Sequence, residues 1–218
     1  MKNSLLPFIE GYQKFRSQHF AEGDTFYADL VRQGQHPKAL MIACSDSRVD
    51  PALVMNCQPG DVFVVRNVAN LVPPYEQDFS YHGTSAALEF GVTVLGIPHV
   101  ILFGHTMCGG IQSLFDHSCE KCGSKSFLHT WMGLARGAHD QIEDKYADRS
   151  LEERVTLCGQ YSLVNSLNNL RTFPWIQERV DQGSLHVHAW NFNMSDGVIE
   201  AYDAVSGEFR PIEEGFSL

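Results

Sequence analysis

The sequence has no apolar run near the ~20 residues that a membrane-crossing helix needs, so no such span is expected. It is short of positive charge: 16 Lys and Arg stand against 26 Asp and Glu, a formal net charge of −10, and the basic residues form no cluster. A surface that tracks phosphates requires one, so neither nucleic acid nor an anionic membrane is an expected partner. The acidic excess reads as a solubility device. A secretory leader is not expected either. The apolar start, Met1 to Phe15, is interrupted by Pro7, Glu10 and Gly11 and lacks a small-residue cleavage pattern. A cytoplasmic protein is the expectation. There is no repeat, low-complexity tract or Pro/Gly/Ser linker, and 218 residues suit one domain with a sizeable core.

Six cysteines are present. Without secretory features they suggest thiols or metal ligands rather than a disulfide frame. Apolar residues come in two rhythms. Leu5, Phe8, Ile9, Tyr12 and Phe15 recur at helical spacing and form a stripe that needs burial against the core or a partner subunit. Ala39–Ala43, Asp61–Val65 and His99–Phe103 are short apolar runs that read as buried strands. Between the last two, Gly83 to Leu95 predicts a helix with Ala86, Ala87, Phe90 and Val94 on one face. This alternation predicts an α/β fold with a mostly parallel central sheet and flanking helices. Ser126 to Thr172 reads as helical, with Leu163, Leu167 and Leu170 on one face, and Pro174 opens a further short helix. Leu185–Phe192 alternates, Ser195-Asp-Gly197 signals a turn, and Val198–Ala204 is a candidate hairpin partner, giving a C-terminal hairpin-like extension.

The chemistry concentrates in two segments, Cys44-Ser-Asp-Ser-Arg48 after the first strand and Gly104-His-Thr-Met-Cys-Gly-Gly110 after the third. Open α/β sheets place ligand sites at such strand C-termini, where two loops converge. Cys44, His105 and Cys108 offer two sulfurs and an imidazole nitrogen, a set that suits Zn²⁺ and leaves a fourth position open, as in catalytic zinc sites. Gly109 and Gly110 allow close backbone approach and expose amides at a helix start. Spacing alone leaves a second reading open, buried thiols beside a satisfied histidine. The neighbouring Asp46 and Arg48 add weight, although a plain loop salt bridge is the alternative for them. A carboxylate kept ionised by Arg48 accepts a hydrogen bond from zinc-bound hydroxide and turns its lone pair toward an electrophile. With Arg48 swung away, Asp46 could instead serve as a fourth zinc ligand, which would close the site.

These motifs resemble the β-class carbonic anhydrases. The likeness continues through Gln58-Pro-Gly60, Phe63-Val-Val-Arg-Asn-Val-Ala-Asn70, Val72-Pro-Pro-Tyr75, Ala86-Ala-Leu-Glu89, Asn169-Leu-Arg-Thr-Phe-Pro-Trp175 and Asp196-Gly197, and so covers most of the chain. The resemblance implies one zinc per chain at Cys44, His105 and Cys108, an Asp46–Arg48 dyad, and reversible hydration of CO₂ to bicarbonate and a proton. It implies a homodimer, with tetramers or larger assemblies common, in which an N-terminal helical arm (1–36) embraces the partner of a zinc-binding core (37–218). The cleft lies at the dimer interface. Gln35, Phe63, Val68, Phe90 and the Gly109 amide match substrate-binding positions of the plant-type subgroup, with Phe90 departing from a frequent tyrosine. One subgroup carries an inhibitory bicarbonate pocket of Trp, Arg and Tyr. Here Arg66 and the neighbouring Val49 are kept but Met41 and Phe192 replace the other two, so no such switch is expected.

Two other functions fit the same motifs. Hydrolysis of COS or CS₂ would need a long sealed apolar tunnel, and a silent zinc or bicarbonate scaffold would be expected to lose part of the dyad or ligand set. Cys119 and Cys122, flanked by His117 and His129, form a possible second zinc or redox site, against the plainer reading of an exposed loop with free thiols. His186 and His188 would share a strand face that could suit a metal, but with no nearby Cys or carboxylate motif they read as sheet-surface residues. His82 is a conceivable proton shuttle that nothing in the sequence places.

Overall fold

The computed structural model describes residues 4–78, 80–118 and 126–213. The chain divides into two compact units, Met1–His36 and Pro37–Leu218. In the first, helix α1 (Leu6–His19) carries Pro7 in its first turn, where a missing N–H costs nothing. Helix α2 (Phe26–Gln33) ends at Gly34, whose φ of 76° suits a residue without a Cβ. Phe15, Phe20 and Tyr27 cluster between them, the last two stacked with ring centroids 5.1 Å apart. No residue of α1 is buried, and Phe8 and Tyr12 are 73% and 62% exposed. The helical stripe read from the sequence is present on α1.

The second unit is built on one sheet. Strand β1 (Ala39–Cys44) is followed by a short helix α3 (Pro51–Val54), strand β2 (Val62–Asn67) and a 3₁₀ turn at Val68–Asn70. Helix α4 (Gly83–Glu89) widens into a π turn at Phe90–Val94 before strand β3 (His99–His105). Helices α5 (Gly109–Phe115), α6 (Phe127–Met132), α7 (Arg136–Lys145), α8 (Leu151–Leu170) and α9 (Pro174–Asp181) follow. Strands β4 (His186–Phe192), β5 (Ile199–Asp203) and β6 (Glu208–Pro211) close the chain. The strand order is β2-β1-β3-β4-β5-β6. The first four are parallel, and β4, β5 and β6 pair antiparallel. The α/β class, the mostly parallel sheet and the terminal hairpin match the sequence reading.

β1 is buried along its whole length. Leu40 and Ile42 face a core shared with Leu102, Leu163, Leu170 and Ile176, while Met41 and Ala43 face another with Ile101 and Phe103. A strand covered on both faces must be apolar without alternation, which is why it was visible as a run. α8 lies close on β3 because Gly104 has no side chain: a Cβ there would sit 2.7 Å from Leu163 Cδ1. The long helical stretch expected over Ser126–Thr172 is three helices. Ser150 caps the third through a reciprocal bond pair with Glu153, which restarts the helix after the turn at Tyr146. No helix among the described residues is long and apolar enough to cross a membrane.

Candidate metal centre

β1 and β3 are adjacent and parallel, so Cys44 and His105 emerge at the same edge of the sheet. The chain then turns through Met107, which holds the left-handed φ of 56°, and returns Cys108 as the residue capping the start of α5. Gly110 lets that helix settle against the 3₁₀ turn. A Cβ there would meet Val68 Cγ1 at 2.8 Å and Ala69 Cβ at 3.1 Å. At Gly109 the same test finds open space, so the close approach expected of both glycines belongs to Gly110 alone.

The ligand-capable atoms of Cys44, His105 and Cys108 lie within 4.8 Å of one another, and all three residues are buried. The sulfurs are 3.8 Å apart. Two thiolates on a tetrahedral zinc, each with Zn–S near 2.3 Å, sit about 3.8 Å apart. His105 Nδ1 donates to the Thr106 carbonyl at 2.7 Å, which fixes the tautomer and frees Nε2. That Nε2 is buried and has no hydrogen-bond partner among the described residues. A lone pair left this way, facing two sulfurs, fits a metal ligand.

With the two sulfurs in hydrogen-bond contact, the ionisation of each bears on the other. The thiol of Cys108 donates toward Cys44 and holds the Cys44 pKa well below the thiol range, with His105 helping. The same contact, together with burial, pushes Cys108 well above that range, opposed by the Ile111 and Gly110 amides. A divalent cation lets both be thiolates and removes this conflict.

Beside the cluster, Arg48 grips Asp46 with both arms, Nε to Oδ1 at 2.9 Å and Nη2 to Oδ2 at 2.7 Å. The Arg48 amide adds a bond to Oδ1 at 2.9 Å. These bonds hold the Asp46 carboxyl far below the usual carboxylate range. Asp46 Oδ2 stands 3.9 Å from His105 Nε2. Arg48 Nη2 also reaches the Met107 carbonyl at 3.1 Å, so one guanidinium ties the two site loops together.

A residue the sequence reading treated only as a remnant of a bicarbonate pocket braces this loop. Arg66 donates to the carbonyls of Cys44 (2.9 Å), Asp46 (2.6 Å) and Val49 (3.1 Å), and to the Asp50 carboxylate (3.0 Å). The signal was available: an arginine within the run Phe63-Val-Val-Arg must find partners close by.

The remaining candidates fall in different places. Val68 contacts the Gly110 position and lines a cavity of about 860 Å³ with Asn67, His82, Phe127 and Trp131. His82 is paired with Asp78 there. Phe63 and Phe90 meet each other, with centroids 6.0 Å apart. Phe63 pairs with Leu40 and Asn67 with Cys44, so Phe63 lies four residues, about 13 Å, along the sheet from the cysteine. Gln35 is exposed in the Met1–His36 unit, just past Gly34. Cys119 and Cys122 lie outside the described residues. His129 is in α6 with a buried Nδ1 that has no hydrogen-bond partner among the described residues.

Comparison with known proteins bears on what such a centre does. The family model for carbonic anhydrase matches residues 39–199. The chloroplastic β-carbonic anhydrase 5 of Arabidopsis thaliana is 39% identical over 188 residues, covering 86% of this chain. The chain spans 61% of that relative's length. The solved structure of the β-carbonic anhydrase CcaA superposes with a TM-score of 0.87 at 32% identity, covering 95% of this chain and 99% of the other. A tetrameric β-carbonic anhydrase of Sordaria macrospora gives 0.76 at 28% identity, covering 90% and 93%. With the matched segment running from β1 to the first residue of β5 and including Cys44, His105 and Cys108, this chain belongs to the β-carbonic anhydrase family.

Proposed function

We propose that this chain is a carbonate dehydratase, converting CO₂ and water reversibly to bicarbonate and a proton with one Zn²⁺ held by Cys44, His105 and Cys108. The observation that carries the proposal is the His105 Nε2, without a partner among the described residues, facing two sulfurs and 3.9 Å from a carboxylate that Arg48 holds by both oxygens. Bound there, Zn²⁺ supplies Lewis acidity that lowers the pKa of water. The protein's part is orientation. Asp46, held ionised, accepts a hydrogen bond and leaves the nucleophile's lone pair toward the carbon of CO₂. With both Asp46 oxygens engaged by Arg48, orienting is favoured over a fourth-ligand role, which would require Arg48 to let go. The Gly109 amide and Gln35 are assigned to bicarbonate oxygens, and Val68 to the apolar wall.

Phe63 and Phe90 are too far along the sheet to wall off the Cys44 site of their own chain, and α1 leaves its apolar stripe uncovered. Both features suit a homodimer in which each chain's Phe63 and Phe90 face its partner's centre. A tetramer or larger assembly is the further step. The described cysteines are all free, which suits a compartment that keeps thiols reduced, and we assign the cytoplasm.

Metal analysis and a CO₂ hydration assay test this directly. The expected result is one zinc per chain, hydration lost on chelation and regained with Zn²⁺. Zinc-loaded protein that hydrolyses COS or CS₂ but does not hydrate CO₂ would move the assignment to those substrates. Zinc without either activity would make the chain a scaffold.

A further inference from the structure

His186 and His188 are two residues apart on β4 and so share one face of the sheet. The parallel ladder sets His99 of β3 directly beside His186, and Ile101 beside His188. The His186 amide bonds to the Pro98 carbonyl at 2.9 Å and pins this register. Three imidazoles from two rigid strands therefore gather at the end of the sheet away from the cysteine cluster. Six residues of β3 separate His99 from His105, a distance of about 20 Å.

Two of the rings already converge. His99 Nδ1 and His188 Nε2 are 3.2 Å apart. Two imidazole nitrogens on a tetrahedral zinc, each near 2.05 Å from it, lie about 3.3 Å apart. The third ring, His186, stacks on His99 with centroids 5.3 Å apart and 25° between planes, and is exposed. Trp190 lies 6.2 Å from His188, centroid to centroid, and walls the next position on the face. Burial lowers the pKa of both His99 and His188, the latter to about 4, so both rings are neutral and keep a ligating lone pair at neutral pH.

We propose that His99, His186 and His188 form a second metal site, separate from the cysteine cluster, for a borderline divalent ion of the Zn²⁺, Ni²⁺ or Cu²⁺ class. An all-imidazole set on rigid strands selects these ions over Mg²⁺ or Ca²⁺. On binding, His99 carries its proton on Nε2 and ligates through Nδ1, His188 ligates through Nε2, His186 turns in as the third ligand, and water completes the shell. No proton is gained or lost.

Cadmium separates this claim from the one about the cysteine cluster. The purified full chain is loaded with one equivalent of ¹¹³Cd²⁺, then titrated with a second, and ¹¹³Cd spectra are recorded. Thiolate-bound cadmium resonates far downfield of cadmium bound by nitrogen and oxygen, so any cysteine site reports separately. The expected result is a new upfield signal that saturates at one per chain. It is lost in His99→Gln and in His188→Gln, and in His186→Gln the affinity falls at least tenfold. Circular dichroism establishes that each variant is folded, and an intact downfield signal establishes that the distant cluster is unaltered. An absent upfield signal, or one that survives both His99→Gln and His188→Gln, overturns the proposal and leaves the pair as a neutral imidazole–imidazole hydrogen bond.

Discussion

At the scale of single residues, the centre depends on contacts that leave no room for substitution in one direction and ample room in another. A Cβ on Gly110 drives into Val68 and Ala69, whereas one on Gly109 meets nothing. Gly110→Ala is expected to cost about 1–3 kcal/mol of stability by overpacking and to lower hydration by displacing Cys108. Gly109→Ala keeps its amide and should leave both nearly unchanged. Denaturant titration and the hydration assay on the two variants compare them. Arg66 makes the complementary case. Arg66→Met removes the donors that serve the Cys44, Asp46 and Val49 carbonyls. Leaving such acceptors unmet in a part-buried loop is expected to cost about 2–4 kcal/mol and to weaken zinc retention, read by thermal unfolding and metal analysis.

At the scale of secondary elements, the paired strands β3 and β4 make stability pH-dependent. His188 is half-buried and neutral, its pKa lowered from 6.5 to about 4 by desolvation and then by His99 and His186. The unfolded chain binds that proton near pH 6.5 and the folded one only near 4. His188 therefore leaves stability intact above pH 6.5 and erodes it as pH falls through that window. The loss is on the order of 1–3 kcal/mol, and His188→Gln should flatten that limb of a stability-versus-pH curve measured with chelator present. The strands themselves were legible because burial on both faces demands an unbroken apolar run, as in Ala39–Cys44. α2 was read only as part of a helical arm over 1–36 and β6 was not read at all, both being short and mostly exposed, with no apolar periodicity long enough to register. Phe90–Val94 was read as ordinary helix, since a π turn differs only in which carbonyl each amide reaches. The cysteine cluster was legible from two short motifs at strand ends. That Arg66 needs partners was legible from its place in an apolar run, but which partners it finds, and the gathering of His99 with His186 and His188, were not, because both arise from strand register rather than from sequence neighbours.

At the scale of the whole molecule, the uncovered stripe of α1 and the displaced Phe63–Phe90 pair both point to a second copy of the chain. Replacing Phe8 and Tyr12 together by Ser should shift the assembly toward monomer in sedimentation, with hydration falling as the partner's aromatic wall is withdrawn. A stable monomer with undiminished turnover would show that each centre is complete within one chain. The central claim, that Asp46 works as an ionised acceptor beside a bound zinc, is tested most directly by stopped-flow CO₂ hydration of the wild type and Asp46→Asn with zinc measured in the same samples. The account predicts one zinc per chain in both proteins and a rate at least ~10²-fold lower in the variant, because an amide breaks the bidentate ion pair and offers a donor where an acceptor is needed. Zinc-loaded Asp46→Asn that turns over as fast as the wild type, or zinc-loaded wild type that hydrates no CO₂ from neutral to alkaline pH, would contradict it.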